Sequence, residues 1–441
     1  MSIVAQQQLF SWKNIEKLGD LERLNLVLEY IPDEEIIGIL EKERKNGRDK
    51  YPVEPMWNTI LAGVIYQHIS IESLRRELRR NGELRELCGL EGAAGIDAVP
   101  TSSAYSRFLT NLMSHEEEIN NMFDNLVNKI TELLPDFGEM LAIDGKAISS
   151  LANGKKKDKT KLKDRRSDVD ADWGKKEYKG KNKDETNYKK VVSWFGYKLH
   201  LVVDANYELP VEYKVTKASA AEQPVAHEIL DDLNEKHPEI IKRCTILTGD
   251  KGYDTINLNT ELYDEYGIKP VIDIRNLWKD GEETRLLPGK ENIVYNYKGD
   301  VFCVCLVSGK QREMAYGGFE KDRGTLKYIC PAKSYGITCA GCKKCPVRKS
   351  IRIDIDRDRR VFTPIARSSY TWKRMYKKRT SVERVNSRID VSFGFENHYI
   401  RGQAKMQMRC GLALCIMLAL AYGRIKENQK LLMRSLVKAA S

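Results

Sequence analysis

The sequence of 441 residues predicts an α/β protein, in which an all-α amino-terminal domain precedes a mixed-sheet domain that is interrupted by a mostly β, Cys-rich insertion. Three observations support this fold class, and a chain of this length can bury a core in each of two or three domains. Apolar residues recur at helical spacing over residues 10–135. Apolar runs over residues 140–275 indicate strands with helical stretches between them. Residues 277–369 hold short β-like runs and most of the cysteines.

The amino-terminal domain is predicted to cover residues 1–135. Ile71–Arg80 has the pattern of a basic amphipathic helix, and residues 99–103 supply a turn and a cap ahead of the next helix. Together they are consistent with a helix-turn-helix, in which one helix enters the major groove of DNA. Four arginines of the basic helix are the nearest candidates for recognising base sequence: Arg75, Arg76, Arg79 and Arg80.

The first part of the mixed-sheet domain is predicted over residues 136–276. An apolar run over residues 140–143 ends at Asp144. Two alternating stretches then follow, at 195–204 and 207–215, and the short Ala-Asn turn between them predicts a β-hairpin. Three strands would therefore follow one another as a meander.

Helices and strands alternate in the rest of this first part. A helix over residues 222–236 precedes the apolar run that ends at Asp250. A second helix, over 257–267, precedes a strand over 269–275. A meander followed by helix, strand, helix and strand is the order of a ribonuclease H-like domain.

The basic segment 155–190 is predicted to form a flexible loop. It carries 15 Lys and Arg against 8 Asp and Glu, with few apolar side chains, so it cannot build a core. The chain as a whole has a net charge of +11. The local surplus suits contacts with DNA phosphates, and a solvated loop without a role is the equal alternative. Trp173 is a candidate for stacking on an unpaired base or for anchoring the segment to the protein.

The ten cysteines fall into two groups. Four lie in apolar surroundings and are expected to be small core residues. Among the six between residues 303 and 345, the spacing of the last four favours a metal over a disulfide: Cys330, Cys339, Cys342 and Cys345. A structural zinc ion with four thiolate ligands, an iron–sulfur cluster and reduced thiols without metal stay open as alternatives.

No secretory or membrane segment is expected. The start of the sequence lacks a basic region followed by a long apolar stretch. The apolar stretch 411–422 is too short to cross a bilayer and is flanked by charge, so it predicts a buried helix. We therefore expect a cytoplasmic protein with no membrane partner.

Three acidic residues lie in contexts typical of metal-binding carboxylates. Asp144 and Asp250 each follow an apolar run that predicts a strand. Glu383 lies on a predicted helix in residues 370–430, the second part of the mixed-sheet domain, ahead of a tail over 431–441. Two strand-end aspartates and a helical glutamate suit a two-magnesium site for phosphoryl transfer, which needs hard oxygen ligands on rigid elements.

The helix of Glu383 also carries Tyr376 and Arg379, and offsets of three and four residues place all three on one face. Together with the two aspartates, this pattern resembles the insertion-sequence DDE transposases whose third acid lies in a Tyr-x2-Arg-x3-Glu-x6-Lys signature. The last signature position is not met, because residue 390 is Asp, and Arg388 is the nearest basic residue. In addition, residues 51–112 resemble the helical amino-terminal region of that family, and residues 249–254 resemble its second-aspartate strand end.

The resemblance implies an activity and a set of partners. Asp144, Asp250 and Glu383 would hold two Mg²⁺ or Mn²⁺ ions, with Asp144 bridging both, for DNA strand cleavage and strand transfer. The implied partners are double-stranded DNA, as element ends and target, and a second copy of the chain in a homodimer on DNA. The candidate DNA contacts are Tyr376, Arg379, Arg388 and Trp173.

Two alternatives stay open at this point. The chain could be a metal-dependent nuclease of the same fold that cuts DNA without joining ends. It could also be a DNA-binding regulator derived from a transposase that has lost catalysis, although the presence of all three acids argues against this.

Overall fold

The amino-terminal part of the protein is helical. The computed structural model describes residues 19–44, 50–154, 166–181 and 186–436. Within these ranges seven α-helices precede the first strand. They are α1 (Glu22–Tyr30), α2 (Glu34–Arg44), α3 (Val53–Ile65), α4 (Ile71–Arg80), α5 (Gly82–Leu87), α6 (Ser102–Leu112) and α7 (Glu116–Leu133). The prediction of a helical amino-terminal region is confirmed.

Local sequence signals determine where two of these helices begin. The Ser70 hydroxyl accepts a hydrogen bond from the Ser73 amide at the start of α4, and the Thr101 hydroxyl accepts one from the Ala104 amide at the start of α6. Both are N-caps. The expected helix-turn-helix of these two helices does not form, because α5 and the 3₁₀ segment Gly92–Ala98 lie between them.

A six-stranded mixed sheet follows the helices. Its strands are β1 (Met140–Ser149), β2 (Asp172–Lys181), β3 (Asn187–Asp204), β4 (Pro210–Lys217), β5 (Ile246–Gly249) and β6 (Lys269–Ile272). They are ordered β2-β3-β1-β5-β6, and β4 also pairs with β3. β1 is antiparallel to β3 and parallel to β5, and β5 is parallel to β6. The predicted mixed sheet and the hairpin of β3 and β4 are confirmed.

Short helices connect the later strands of this sheet. They are α8 (Glu222–Lys236), α9 (Pro238–Arg243) and α10 (Ile256–Thr260), which continues as a π-helical turn over Glu261–Glu265. The helix predicted at 222–236 is therefore confirmed. The element order agrees with a ribonuclease H-like domain.

The prediction of a flexible loop over 155–190 is wrong for part of that segment. Residues 172–181 form β2, and β3 already begins at Asn187. The two strands pair from Asp172, opposite Gly196, to Lys181, opposite Asn187. Pairing satisfies the backbone hydrogen bonds of the ribbon, so it forms although it has few apolar side chains. Of the rest of the predicted loop, residues 166–171 form neither helix nor strand, and residues 155–165 and 182–185 lie outside the described residues.

The insertion between β6 and the later helices is mostly β, as predicted. It contains β7 (Arg285–Leu286), β8 (Ile293–Tyr295), β9 (Val301–Val304), β10 (Gln311–Glu313), β11 (Ala315–Glu320), β12 (Thr325–Ile329), α11 (Pro331–Ser334) and β13 (Ser350–Asp354). β7 to β10 form one sheet and β11 to β13 another. Their buried residues, such as Ile293, Tyr328 and Phe362, form a core separate from that of the mixed sheet.

The chain then returns to the mixed sheet with three helices: α12 (Tyr370–Tyr376), α13 (Thr380–Phe393) and α14 (Gln403–Lys426). α14 packs against α1, α3, α7 and β4. Residues 410–421 of α14 are buried throughout, so the prediction of a buried helix over 411–422 is confirmed for all but its last residue, Tyr422. One core cluster therefore joins the amino-terminal helices to the sheet, for example through Leu61, Leu201 and Leu414.

By length and composition alone, α14 could cross a membrane, and among the described residues it alone meets that test. Most of its apolar stretch is buried inside the protein. The core helix of a globular domain has the same composition, because it is apolar on all sides.

Candidate active site

Asp144 and Asp250 occupy adjacent positions on neighbouring strands. β1 and β5 run parallel, with Ile143 opposite Gly249, and each aspartate is the next residue. The prediction that both aspartates follow strand ends holds for Asp250 only, because β1 continues to Ser149 through its pairing with β3. Asp144 thus lies on a central strand, at the point where the parallel pairing ends.

The two aspartates have different surroundings. Asp144 is buried, with 9% of its surface exposed. This burial raises its pKa to about 6, the Lys176 charge opposes the rise, and the nearby Asp250 carboxylate adds to it. Asp250 caps a short 3₁₀ turn, where its Oδ1 accepts a hydrogen bond from the Gly252 amide at 2.6 Å. The carboxylates are therefore close enough to repel each other.

Glu383 reaches the same region from α13. It lines a cavity of about 510 Å³ together with Asp144. Its carboxylate pairs with the Arg379 guanidinium at 2.6 Å, and 48% of its side chain is exposed. Burial alone would lower the pKa of Arg379, but the hydrogen bond and charge of Glu383 raise it. Asp250 is not among the residues that line this cavity.

Among the described residues, no group of three or more His, Cys, Asp or Glu side chains is arranged to hold a metal ion. In this structure the Glu383 carboxylate pairs with Arg379. The donor set nevertheless suits a divalent cation. Asp144 and Asp250 are hard oxygen donors side by side, and a cation beside them would offset both the burial and the mutual repulsion that raise the pKa of Asp144.

Arg379 contacts both Tyr376 and Glu383, but the three residues do not lie on a single helix as predicted. α12 ends at Tyr376, and a 3₁₀ turn over Lys377–Arg379 leads into α13. The Arg379 guanidinium lies 5.8 Å from the centre of the Tyr376 ring. Tyr376 in turn stacks on Trp372, with ring centres 4.7 Å apart. This stack holds Arg379 and Tyr376 beside the acids.

Arg388 is a predicted DNA contact, and its position argues against that role. Arg388 lies five residues after Glu383. Five residues make about 1.4 turns of an α-helix, so Arg388 lies on another face of α13. Its guanidinium donates to the Glu208 carbonyl and is largely buried, and this burial lowers its pKa to about 10. It is not among the residues that line the cavity. Arg388 therefore connects α13 to the hairpin of β3 and β4.

Residue 390, where the signature has Lys, is Asp in this chain, and a lysine from another element lies beside it. Lys146 of β1 forms an ion pair with Asp390 of α13, and both side chains line the cavity. Asp390 is seven residues after Glu383, about two turns, and so shares its face. Sequence analysis assigned no role to Lys146, because its pairing with α13 is a contact over 244 residues of chain.

Glu222 is a further acid that sequence analysis did not identify. It is the first residue of α8 and lines the cavity with Asp144 and Glu383. Acidic residues in the first turn of a helix are common because they interact favourably with the helix dipole. Its position in the sequence was therefore no signal of a site.

Trp173 lies on β2 and packs against Phe195, with ring centres 5.7 Å apart. Its ring also lies over Gly154, where a Cβ atom would be 2.4 Å from it. The ring anchors the ribbon to the sheet, and 39% of the residue remains exposed.

The cysteines of the insertion lie around one cavity, although among the described residues no three of them are arranged to hold a metal ion. Six of them line one cavity of about 20 Å³: Cys303, Cys305, Cys330, Cys339, Cys342 and Cys345. All six are free thiols. Burial raises the pKa of Cys303 to about 11, and the neighbouring Cys330, Cys345 and Cys339 raise it as well. The cavity has room for about one water or ion.

Comparison with known proteins finds two matching family models. The family model described as "Transposase DDE domain" matches residues 138–419, more than half of the chain, and "Transposase domain (DUF772)" matches residues 11–111. A solved structure, the cryo-EM structure of the piggyBac transposase synaptic complex with hairpin DNA, is similar over 97% of this chain and 80% of that chain, with a TM-score of 0.39 and 11% identity. A search of the curated proteins finds no match.

Proposed function

The chain belongs to the family of transposases that share the DDE domain, which cut and transfer DNA strands, and from this premise we propose its function. We propose that it acts on the ends of an insertion sequence by metal-dependent phosphoryl transfer. The proposed site consists of Asp144, Asp250 and Glu383. The observation that carries the assignment of residues is the register of β1 and β5, which makes the two aspartates neighbours. Glu383 would complete the set, because it lines the same cavity as Asp144.

The three carboxylates would hold Mg²⁺ or Mn²⁺. When bound, divalent ions activate the attacking water or 3′-hydroxyl and stabilise the leaving oxygen. Asp144 is buried on a central strand and is the proposed shared ligand. Arg379 keeps Glu383 neutralised in the free protein, and on release its planar guanidinium is suited to bind a DNA phosphate next to the reacting bond. Tyr376 would orient this arginine.

The proposed partner is double-stranded DNA, both the element ends and the target. Lysines surround the acids in the cavity: Lys146, Lys175, Lys176 and Lys198. They offset the negative charge of the carboxylates and would attract phosphates. Trp173, partly exposed on the same ribbon as two of them, would contact a base or sugar at its free edge. Action as a homodimer on DNA and a cytoplasmic location are part of the same proposal.

We also propose a structural zinc ion in the cysteine cavity, with Cys330, Cys339, Cys342 and Cys345 as ligands. The grouping of these thiols around a cavity with room for about one ion supports it. Metal analysis of the purified protein should find about one zinc per chain, and its removal should lower the thermal stability of the insertion. Protein that contains no zinc and folds fully would reject this part of the proposal.

Single alanine variants of Asp144, Asp250 and Glu383 test the catalytic assignment. Each should reduce cleavage and strand transfer of DNA that carries the element ends to background in Mg²⁺, and end binding should persist because the basic surface is unchanged. Asp322→Ala, an exposed acid on the insertion, is the matched control. Cleavage without strand transfer by the wild type would indicate a nuclease, and cleavage that survives all three substitutions would refute the site.

A further inference from the structure

Glu222 comes from a different element than Asp144 and Asp250, and its carboxylate lies beside Asp250 and against Gly145, the residue after Asp144. Two glycines allow this approach, because a Cβ atom at either would meet the Glu222 carboxylate. At Gly252 it would lie 1.9 Å from Glu222 Oε2 and 2.8 Å from Asp250 Oδ1, and at Gly145 it would lie 3.3 Å from Glu222 Oε1. The Glu222 and Asp250 carboxylates are therefore neighbours, and Glu222 Oε1 lies next to Gly145 of β1.

Two polar groups beside these acids have no hydrogen-bond partner among the described residues. Asn386 Oδ1 is one of them, and Asn386 is 9% exposed and lines the same cavity as Glu222 and Glu383. The hydroxyl of the fully buried Tyr253 is the other. Burial raises the pKa of this phenol, and the charges of Glu222, Asp144 and Asp250 raise it as well. Buried polar groups are normally satisfied, so an unpartnered oxygen beside clustered carboxylates indicates a missing cationic or water ligand.

We propose that Glu222 is a fourth carboxylate ligand of the divalent metal centre, on the side of Asp250. The proposal rests on the proposed function, since it adds a ligand to the same site. In the free protein, the buried Lys198 takes the place of the cation: its Nζ lies 3.4 Å from Glu222 Oε1 and donates to the Ala220 carbonyl at 2.9 Å. A bound metal ion would then compete with Lys198 for the Glu222 carboxylate. In the same way it would compete with Arg379 for the Glu383 carboxylate.

The competing explanation is that Glu222 only forms a structural ion pair with Lys198. The two explanations differ in what Lys198→Met does. If Glu222 is a ligand, removing the competing cation should tighten metal binding. If the pair only supports the fold, Lys198→Met should resemble Glu222→Gln in every property.

Mn²⁺ binding to the full-length protein, followed by electron paramagnetic resonance of the free ion, tests the proposal. Glu222→Gln should weaken Mn²⁺ affinity by about tenfold or more, Glu222→Asp should have an intermediate effect, and Lys198→Met should strengthen it. Glu235→Gln, an exposed glutamate on the same helix, is the control and should leave affinity unchanged. Melting curves by circular dichroism check that each variant is folded.

The possible failures are distinguishable. If Asp250→Asn abolishes Mn²⁺ binding and Glu222→Gln leaves it unchanged, Glu222 is not a ligand and the proposed function stands. If Lys198→Met weakens binding as Glu222→Gln does, the structural explanation replaces the proposal. If wild-type protein with end DNA binds no Mn²⁺, the metal-dependent function and this inference both fail.

Discussion

Asp144 combines burial with a neighbouring negative charge, and this determines how its ionisation affects stability. Its pKa is raised from 3.8 to about 6. Between about pH 4 and pH 6 the folded protein retains a proton that the unfolded chain releases, so the free energy of unfolding falls as pH rises through this window. Above about pH 6 the loss is complete.

We therefore expect Asp144→Asn to raise the free energy of unfolding of the metal-free protein by about 1–3 kcal/mol at pH 7. Below about pH 4 the variant and the wild type should be equally stable, because Asp144 is then protonated in both states. Urea unfolding in EDTA at the two pH values measures this. Asp322→Asn is the control, and a variant that is less stable than the wild type at pH 7 would contradict the prediction.

Arg379 and Arg388 are nine residues apart and are expected to respond oppositely to alanine substitution. Arg379→Ala should impair DNA cleavage far more than DNA binding, because its proposed phosphate lies beside the acids. Arg388→Ala should lower the free energy of unfolding by about 1–3 kcal/mol, since it leaves the buried Glu208 carbonyl unpaired. Cleavage assays and urea unfolding of both variants separate the two roles, and equal cleavage defects would refute the distinction.

At the scale of elements, the ribbon of β2 and β3 carries lysines at the edge of the cavity. Phosphate contacts release counterions, so DNA affinity should fall steeply with salt concentration. Replacing Lys175, Lys176 and Lys190 with Gln should reduce the slope of log K against log salt by roughly one for each DNA phosphate that is no longer neutralised. The preferred DNA sequence should not change, because phosphate contacts carry no base information.

The control for the ribbon is a variant with two exposed lysines of the insertion, Lys298 and Lys321, replaced in the same way. Its slope should equal that of the wild type. If the ribbon variant also keeps the wild-type slope, the ribbon has no part in holding DNA.

At the scale of the whole molecule, the amino-terminal helices and the mixed sheet share one core through α14. We expect the two regions to unfold in one transition, which calorimetry and limited proteolysis can follow together. Leu414→Ala, at a fully buried position, should cost about 2–5 kcal/mol and lower the stability of both regions. Leu431→Ala, at a position that is 99% exposed, is the control. An amino-terminal region that unfolds separately would contradict the shared core.

The sequence by itself determined the features that depend on local patterns. Alternation predicted the hairpin of β3 and β4, and helical periodicity predicted α8. Offsets of three and four residues predicted that Tyr376, Arg379 and Glu383 lie together, although a 3₁₀ turn separates Tyr376 from the helix of Glu383. Asp144 and Asp250 were identifiable because each follows an apolar run in the sequence, and side chains on neighbouring parallel strands lie close together.

Only the tertiary structure decided which distant residues meet at the site. Glu222 begins an ordinary helix, Lys146 pairs with Asp390 over 244 residues of chain, and Cys303 and Cys305 join the other four cysteines from β9 and the residue after it. The ribbon of β2 is a similar case, because strand pairing stabilises a segment whose composition suggests a loop. These contacts depend on the register between strands and on helix packing over the sheet. The spacing of residues along one segment determines neither the register nor the packing. Each strand or helix could pair with several other segments that have a similar pattern of apolar residues.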